Sequence, residues 1–542
     1  MSTVHAIDEK PLPMRRPGAA KAGHVIAVSG SSVTAILKPG AEGIRIGSIV
    51  RMPTLASDVF GMVVSLKAEN AQAEISPAEK HLAEIQLLGE CLRDKSGAAR
   101  GFQRGVSMHP GLGMDLFAAT HDELGLVYAR PKAATVRVGA IHQDETLPAF
   151  VSTDELLGKH FAVLGVTGSG KSCAVALILR AVLDQNPGGH VVLLDSHNEY
   201  ATAFGDRAEL ISPSNLQLPY WLLNFEEIVS VFASRTGDTM EAEHAVLKAA
   251  IVESKRKFAG AGKELDYVTV DTPVPYRLGD VLRSIDAAMG RLEKPENNAA
   301  YLRLKARIEA LSNDRRFAFM FSGLMVRDNL VDILSRILRM PVERKPITIF
   351  DISGIPSEIT DVVVSVLCRT LFDFALWSDR ARAMPILLVC EEAHRYVPRD
   401  DSQAFGPTGR VIATIAREGR KYGVGLCLVS QRPSELSATI LSQCNTLFAL
   451  RMSNERDCSF VRNALPDSAI GLLGALPALR TREAIAVGEG VTVPMRLAFD
   501  ELDPQWRPKN GTPPFSHAWQ QDSASREFIT DTIERWRKQL RD

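Results

Sequence analysis

The sequence predicts an α/β protein with a parallel sheet, preceded by a small N-terminal β-barrel and interrupted by a helical insertion. Three observations carry this. Short β-runs split by glycine turns crowd the first quarter of the chain. Continuous apolar, β-branched runs then alternate with helical spacing, which suits parallel strands covered on both faces. Between two of those runs lies a long amphipathic helical stretch, more chain than a strand-to-strand crossover needs.

Residues 1–22 read as a flexible tail. Lys10, Arg15, Arg16 and Lys21 lie there among Pro, Gly and Ala, and no apolar signal core follows them. Residues 23–140 read as the barrel, with strands at Val25–Val28, Val33–Leu37, Ser48–Met52, Gly61–Leu66 and His81–Cys91, and Thr135–Val138 closing it. Closure of a barrel removes exposed strand edges. Residues 141–500 read as the core, with strands at Phe161–Leu164, Val191–Leu194, Ile347–Asp351, Ile386–Cys390 and Gly425–Val429 and a helix at Cys173–Asp184. The insertion spans 226–340. Its helices are expected at Glu226–Ala233, Glu241–Phe258, Leu278–Leu292 and Ala299–Leu311, with Lys263–Asp271 as a polar break. Short β-runs return at Ala484–Val487 and Met495–Ala498. Residues 501–542 form a polar tail that ends in a helix near Phe528–Leu540.

Composition bounds the function more weakly. The chain has 542 residues, 45% hydrophobic and 23% charged, with a formal net charge of −1. A near-neutral balance gives no global nucleic-acid signature, so any DNA contact has to come from a local patch such as the inside of a ring. The seven cysteines form no CxxC pair and sit mostly in apolar runs, which suits reduced thiols better than a disulfide or metal framework. No apolar stretch is long enough to span a bilayer. A cytoplasmic protein is the expectation.

Chemistry concentrates at strand ends. Gly165-Val-Thr-Gly-Ser-Gly170-Lys171-Ser172 matches G-x-x-x-x-G-K-[ST] between a strand and a helix. Glycines there let backbone N–H groups turn around phosphate oxygens, and the helix N-terminus adds its positive end. The nucleotide-binding set is Gly165, Val166, Thr167, Gly168, Ser169, Gly170, Lys171, Ser172 and Cys173. Lys171 is expected on the β- and γ-phosphates of ATP, and Ser172 on Mg²⁺. Ile386–Cys390 runs into Glu391 and Glu392. Phosphate hydrolysis needs one acid near Mg²⁺ and one to polarise water, which makes Glu391 the metal candidate and Glu392 the catalytic base. Glu391 stands where Asp is commoner, and its extra methylene shifts the carboxylate. Gln431, in Ser430-Gln-Arg-Pro433, is placed to bond the γ-phosphate or its water. Arg417, Arg420 and Lys421 cluster near a helix end; they either complement the helix dipole or offer cations to a neighbouring subunit's phosphates. Asp195, His197 and Glu199 alternate, so an extended segment would set them on one face. A polar surrounding for the nucleotide suits them better than a metal site, since no fourth ligand is evident.

These motifs together resemble the HerA family of the HerA/FtsK ATPase superfamily. The residues behind the resemblance are Gly165–Ser172, Asp195-x-His197-x-Glu199-Tyr200, Glu391-Glu392-Ala393-His394, Arg417-Glu-Gly-Arg-Lys-Tyr-Gly423 and Ser430-Gln-Arg-Pro433. The resemblance covers nearly the whole chain from Gly23 to Ala498. The resemblance implies a RecA-like P-loop core, a homohexameric ring, and an ATP- and Mg²⁺-dependent DNA translocase or helicase. It makes Arg417 or Arg420 the arginine supplied in trans. It also implies a partner docked on the barrel: a nuclease in DNA end processing, or a nuclease or sirtuin-like effector in phage defence. A ring that mainly scaffolds and activates such an effector is the alternative. Arg395 and Arg399 are candidates for a DNA-lined pore, and equally for ordinary surface arginines.

Overall fold

The computed structural model describes residues 21–41, 43–68, 81–94, 100–233, 240–260, 266–290, 298–321, 326–399, 406–464, 470–509, 515–520 and 525–538. Most of the expected 1–22 tail, part of the Lys263–Asp271 break, and Leu292 and Leu540 lie outside the described residues. The fold is α/β, with a core whose sheet is largely parallel, a small β-barrel ahead of it and a helical insertion within it. The chain divides into two compact units. One contains 1–185, 430–434 and 441–502, and the other contains 186–429, 435–440 and 503–542.

In the first unit, Lys21–Ser29, Ser32–Leu37, Ile49–Pro53, Ser57–Ala68, His81–Leu92 and Asp115–Ala118 form the barrel. Ser32–Leu37 pairs antiparallel with His81–Leu92 from Ser32↔Gln86 to Leu37↔His81, and that pairing closes the ring of strands. Alternation does the packing. Val33, Ala35 and Leu37 point inward with Val25, Val50, Met52, Val59, Val63, Ala83, Ile85 and Leu116. Thr135–Ile141 is not the closing strand. It pairs with Asp144–Ser152 and Met495–Phe499 in a separate sheet, and Asp115–Ala118 takes the barrel position, between Lys21–Ser29 and Ile49–Pro53. Its apolar alternation fits either sheet, because a half-buried strand looks the same in both.

That second sheet carries the phosphate loop. Phe161–Leu164 lies parallel to Thr446–Leu450, with Phe161 opposite Thr446. Glu483–Gly488, Met495–Phe499, Thr135–Ile141 and Asp144–Ser152 follow, all antiparallel. Asp144–Ser152 contains Pro148, which a central strand would exclude; it is the last strand of the sheet, where a missing N–H costs no ladder bond.

Five strands run parallel, all in the second unit except for Ser430: Ala208–Ile211, Ile347–Asp351, Val191–Asp195, Ile386–Cys390 and Val424–Ser430, in that order. The four-residue Ala208–Ile211 strand carries no sequence signal of its own. Between Ala208–Ile211 and Ile347–Asp351 the chain runs through helices Phe225–Phe232, Met240–Ala259, Leu278–Met289, Asn298–Asn313 and Leu330–Leu338. Asn224 caps the first of these through a reciprocal capping box with Glu227. Lys255 is fully buried there and donates to Val270 O (2.6 Å) and Thr272 O (2.7 Å); burial pushes its ammonium down to about 8. The last helix, Arg526–Lys538, exposes Phe528, Ile529 and Trp536. Among the described residues no helix is long and apolar enough to cross a membrane.

Candidate functional site

The phosphate loop follows Phe161–Leu164 and opens the helix Lys171–Gln185. Its glycines are required by geometry. Gly168 and Gly170 have φ of +76° and +100°, conformations that cost any other residue strain. A Cβ on Gly165 would lie 2.8 Å from both Leu450 Cβ and Ser169 Oγ. Backbone bonds pin the loop from three sides. Gly165 N donates to Ser430 O (3.2 Å), Val166 N to Arg451 O (3.1 Å), and Arg482 N to Ser169 O (3.2 Å).

Side chains in the loop are ordered too. Ser169 is buried and its hydroxyl donates to Val166 O (2.7 Å). Lys171 folds across the loop, with Nζ 3.1 Å from the same carbonyl. Ser172 and Cys173, next along the helix, are half-buried. Thr167 Oγ1 donates to Gln431 Oε1. That contact puts the Gln431 side chain against the loop, although 264 residues of sequence separate the two.

Arg482 is a neighbour the sequence did not single out. It has φ of +72°, and a Cβ on Gly170 would lie 3.4 Å from its backbone nitrogen. Its guanidinium pairs with Glu501 at 3.3 Å and is 45% exposed, so it remains accessible beside the loop. A positive-φ arginine in an irregular turn has no pattern by which to be found.

The acidic strand end lies in the second unit. Ile386–Cys390 is buried throughout, and Glu391 and Glu392 follow directly. Both are buried. Glu391 N donates to Leu194 O (3.3 Å), which sets Glu391 beside Asp195 at the end of the neighbouring strand. Burial, then the charges of Asp195 and Glu199, push the Glu391 carboxyl up to about 9. Its Oε2 is buried and has no hydrogen-bond partner. Glu392 has φ of +50° and ψ of +44°, a left-handed conformation costing roughly 1–2 kcal/mol. It turns the chain sharply off the strand into the short helical turn Ala393–Arg395.

Asp195, His197 and Glu199 do not share the face of an extended segment. The strand ends at Asp195, and its carboxylate accepts from His197 N (3.2 Å) and Tyr200 N (2.9 Å), folding the following residues into a turn with Asn198 at φ of +54°. An aspartate that can bond the backbone just ahead of it favours such turns over extension. The turn carries His197 to Glu392: Nε2 lies 3.3 Å from Glu392 Oε1. Ser196 Oγ lies 3.4 Å from Glu391 O and 3.3 Å from the Tyr396 hydroxyl, lacing the two turns together. Among the described residues no group of three or more His, Cys, Asp or Glu side chains is arranged to hold a metal.

The arginine cluster stands elsewhere in the same unit. Pro407–Glu418 is a helix, Gly419–Tyr422 a tight turn, and Gly423, at φ of +75°, leads into Val424–Ser430. Arg417, Arg420 and Lys421 are exposed. Val424 sits opposite Ile386, while Glu391 and Glu392 follow Cys390. The cluster and the acids are therefore at opposite ends of these strands, separated by about 16 Å of strand, at about 3.3 Å per residue. Arg395 and Arg399 are exposed beyond the acids.

Residues 136–371 match the family model described as the central domain of the helicase HerA. A probable helicase of Methanocaldococcus jannaschii is 26% identical over 519 residues, covering 91% of this chain and 93% of that protein. The DNA double-strand break repair helicase HerA of Pyrococcus furiosus is 27% identical over 434 residues, covering 73% and 74%. Among solved structures, VirB4 of Thermoanaerobacter pseudethanolicus aligns with a TM-score of 0.48 at 16% identity, covering 70% of this chain and 99% of that one. The plasmid coupling protein TrwB in complex with ADP and Mg²⁺ aligns with a TM-score of 0.46 at 15% identity, covering 73% and 95%.

Proposed function

From a chain whose residues 136–371 match the HerA central domain, we propose an ATP hydrolase that works as a ring of identical subunits, six by resemblance, and moves along DNA. The observation that carries the ATPase part is the phosphate loop itself, with its two left-handed glycines, its pinned backbone and Gln431 bonded to Thr167. The DNA part is supported by the similarity to repair helicases.

In this reading the loop N–H groups and Lys171 bind the phosphates of ATP. Gln431 leaves Thr167 to bond the γ-phosphate or the attacking water. Glu392 accepts the proton of that water. Mg²⁺ takes hard oxygen donors and needs only one or two from protein. The Ser172 hydroxyl and the Glu391 carboxyl are of that kind, and the crowding of buried Glu391 by the charges of Asp195 and Glu199 suits a cation. When bound, Mg²⁺ offsets charge on the phosphate oxygens.

Arg417 and Arg420 stand at the far end of the strands from Glu392. A role in charge neutralisation therefore calls for a second subunit, and head-to-tail contacts that close into a ring supply one. Subunits carrying Lys171→Ala and subunits carrying Arg420→Ala are each expected to be inactive alone. Mixed, they should regain part of the hydrolysis, measured as phosphate release, because some sites pair an intact loop with an intact arginine. No recovery in rings shown to contain both variants removes Arg420 from this role. A partner nuclease or sirtuin-like effector on the barrel, in DNA end processing or phage defence, rests on the resemblance alone.

A further inference from the structure

We infer that His197 is a positioning residue for hydrolysis, holding one oxygen of Glu392 so that the other is left for the attacking water. The inference rests on the reading of Glu392 as the base and says how that base is aimed.

The two carboxylate oxygens of Glu392 have different surroundings. Oε1 is hydrogen-bonded to His197 Nε2 at 3.3 Å. Oε2 is buried and accepts no hydrogen bond; it faces His394 Nδ1 at 3.3 Å, an ion pair when that ring is protonated. A carboxylate steered through one oxygen turns mainly about that contact, which biases the lone pairs of the other. The bond is longer than the 2.7–2.9 Å usual for a charge-assisted contact, so it steers without locking. Each partner is itself held. The Asp195 carboxylate accepts from His197 N, and Glu392 O accepts from Arg395 N at 2.9 Å. The left-handed backbone of Glu392 presents its side chain to the Asp195–Tyr200 turn, and a glutamate continuing the strand would point elsewhere. His197 is 48% exposed, so it contributes little to the core, and its contact with Glu392 is the feature its position serves.

The test is steady-state ATP hydrolysis by the full chain, with nucleotide affinity and circular dichroism measured in parallel. His197→Ala should lower kcat by about 10- to 100-fold, the usual cost of losing a group that orients a reacting one, with KM and affinity unchanged. His197→Gln places an amide N–H near the position of Nε2 and should recover most of kcat. Parental kcat in His197→Ala overturns the inference. So does a His197→Gln variant that folds and binds nucleotide yet is as slow as His197→Ala, since that would assign the effect to bulk. Glu392→Gln serves as the separate control. If that variant hydrolyses ATP normally, the assignment of the base fails first and the role of His197 falls with it.

Discussion

Replacing Lys171 with alanine is expected to stop ATP hydrolysis. Lys171 is the only cation inside the Gly165–Ser172 loop, and the helix it opens places it where phosphate charge gathers. In the structure its ammonium donates to Val166 O at 3.1 Å, folding back across the loop. Removing one preorganised donor from developing transition-state charge costs about 10²- to 10³-fold in kcat. A donor that also carries full charge on the β- and γ-phosphates sits at or beyond the upper end. The loop should survive the change, because its shape rests on Gly168, Gly170 and the backbone bonds to Ser430, Arg451 and Arg482. Phosphate release, with circular dichroism to check the fold, is the measurement. Turnover at the parental rate in a folded Lys171→Ala protein would end the case for this loop as the hydrolytic site.

Glu392→Gln is expected to separate binding from chemistry. Gln fills the same space and can still meet His197, but it cannot accept a proton from water at neutral pH. Positioned proton transfer contributes about 10²- to 10⁴-fold, so kcat should drop by that order while ATP affinity holds. A fluorescent ATP analogue reads affinity, and phosphate release reads turnover. Loss of binding would make Glu392 a structural or ligand-holding residue. Retained turnover would pass the role of base to another group.

Much of this site was legible because its chemistry is local in sequence. The phosphate loop declares itself through glycines at left-handed positions where a side chain is strained, and Gly168 and Gly170 occupy them. The acids declare themselves by following five buried residues, Ile386–Cys390. The barrel shows in its alternation, but Thr135–Val138, expected to close it, belongs to another sheet, since alternation reports a half-buried strand and not its partner. Ala208–Ile211 is too short to carry a pattern, and Pro148 hid Asp144–Ser152 by marking it against strand.

What the sequence could not give is mostly contact across distance. His197 and Glu392 are 195 residues apart, and Thr167 and Gln431 are 264 apart. Alternation of Asp195, His197 and Glu199 suggests an extended segment, and the backbone bonds that the Asp195 carboxylate accepts carry no sequence signal. Arg482 meets the loop through its backbone, which no side-chain pattern announces.

In the proposed function, ATP hydrolysis at this loop drives movement on DNA. This coupling is tested most directly by the hydrolysis rate of the purified protein with and without linear duplex DNA, across a range of salt. Hydrolysis should be faster with DNA of any sequence, the gain should shrink as salt rises because phosphate contacts release counterions, and Lys171→Ala should show none of it. Hydrolysis that depends on Lys171 yet is indifferent to DNA, even at low salt, would contradict it.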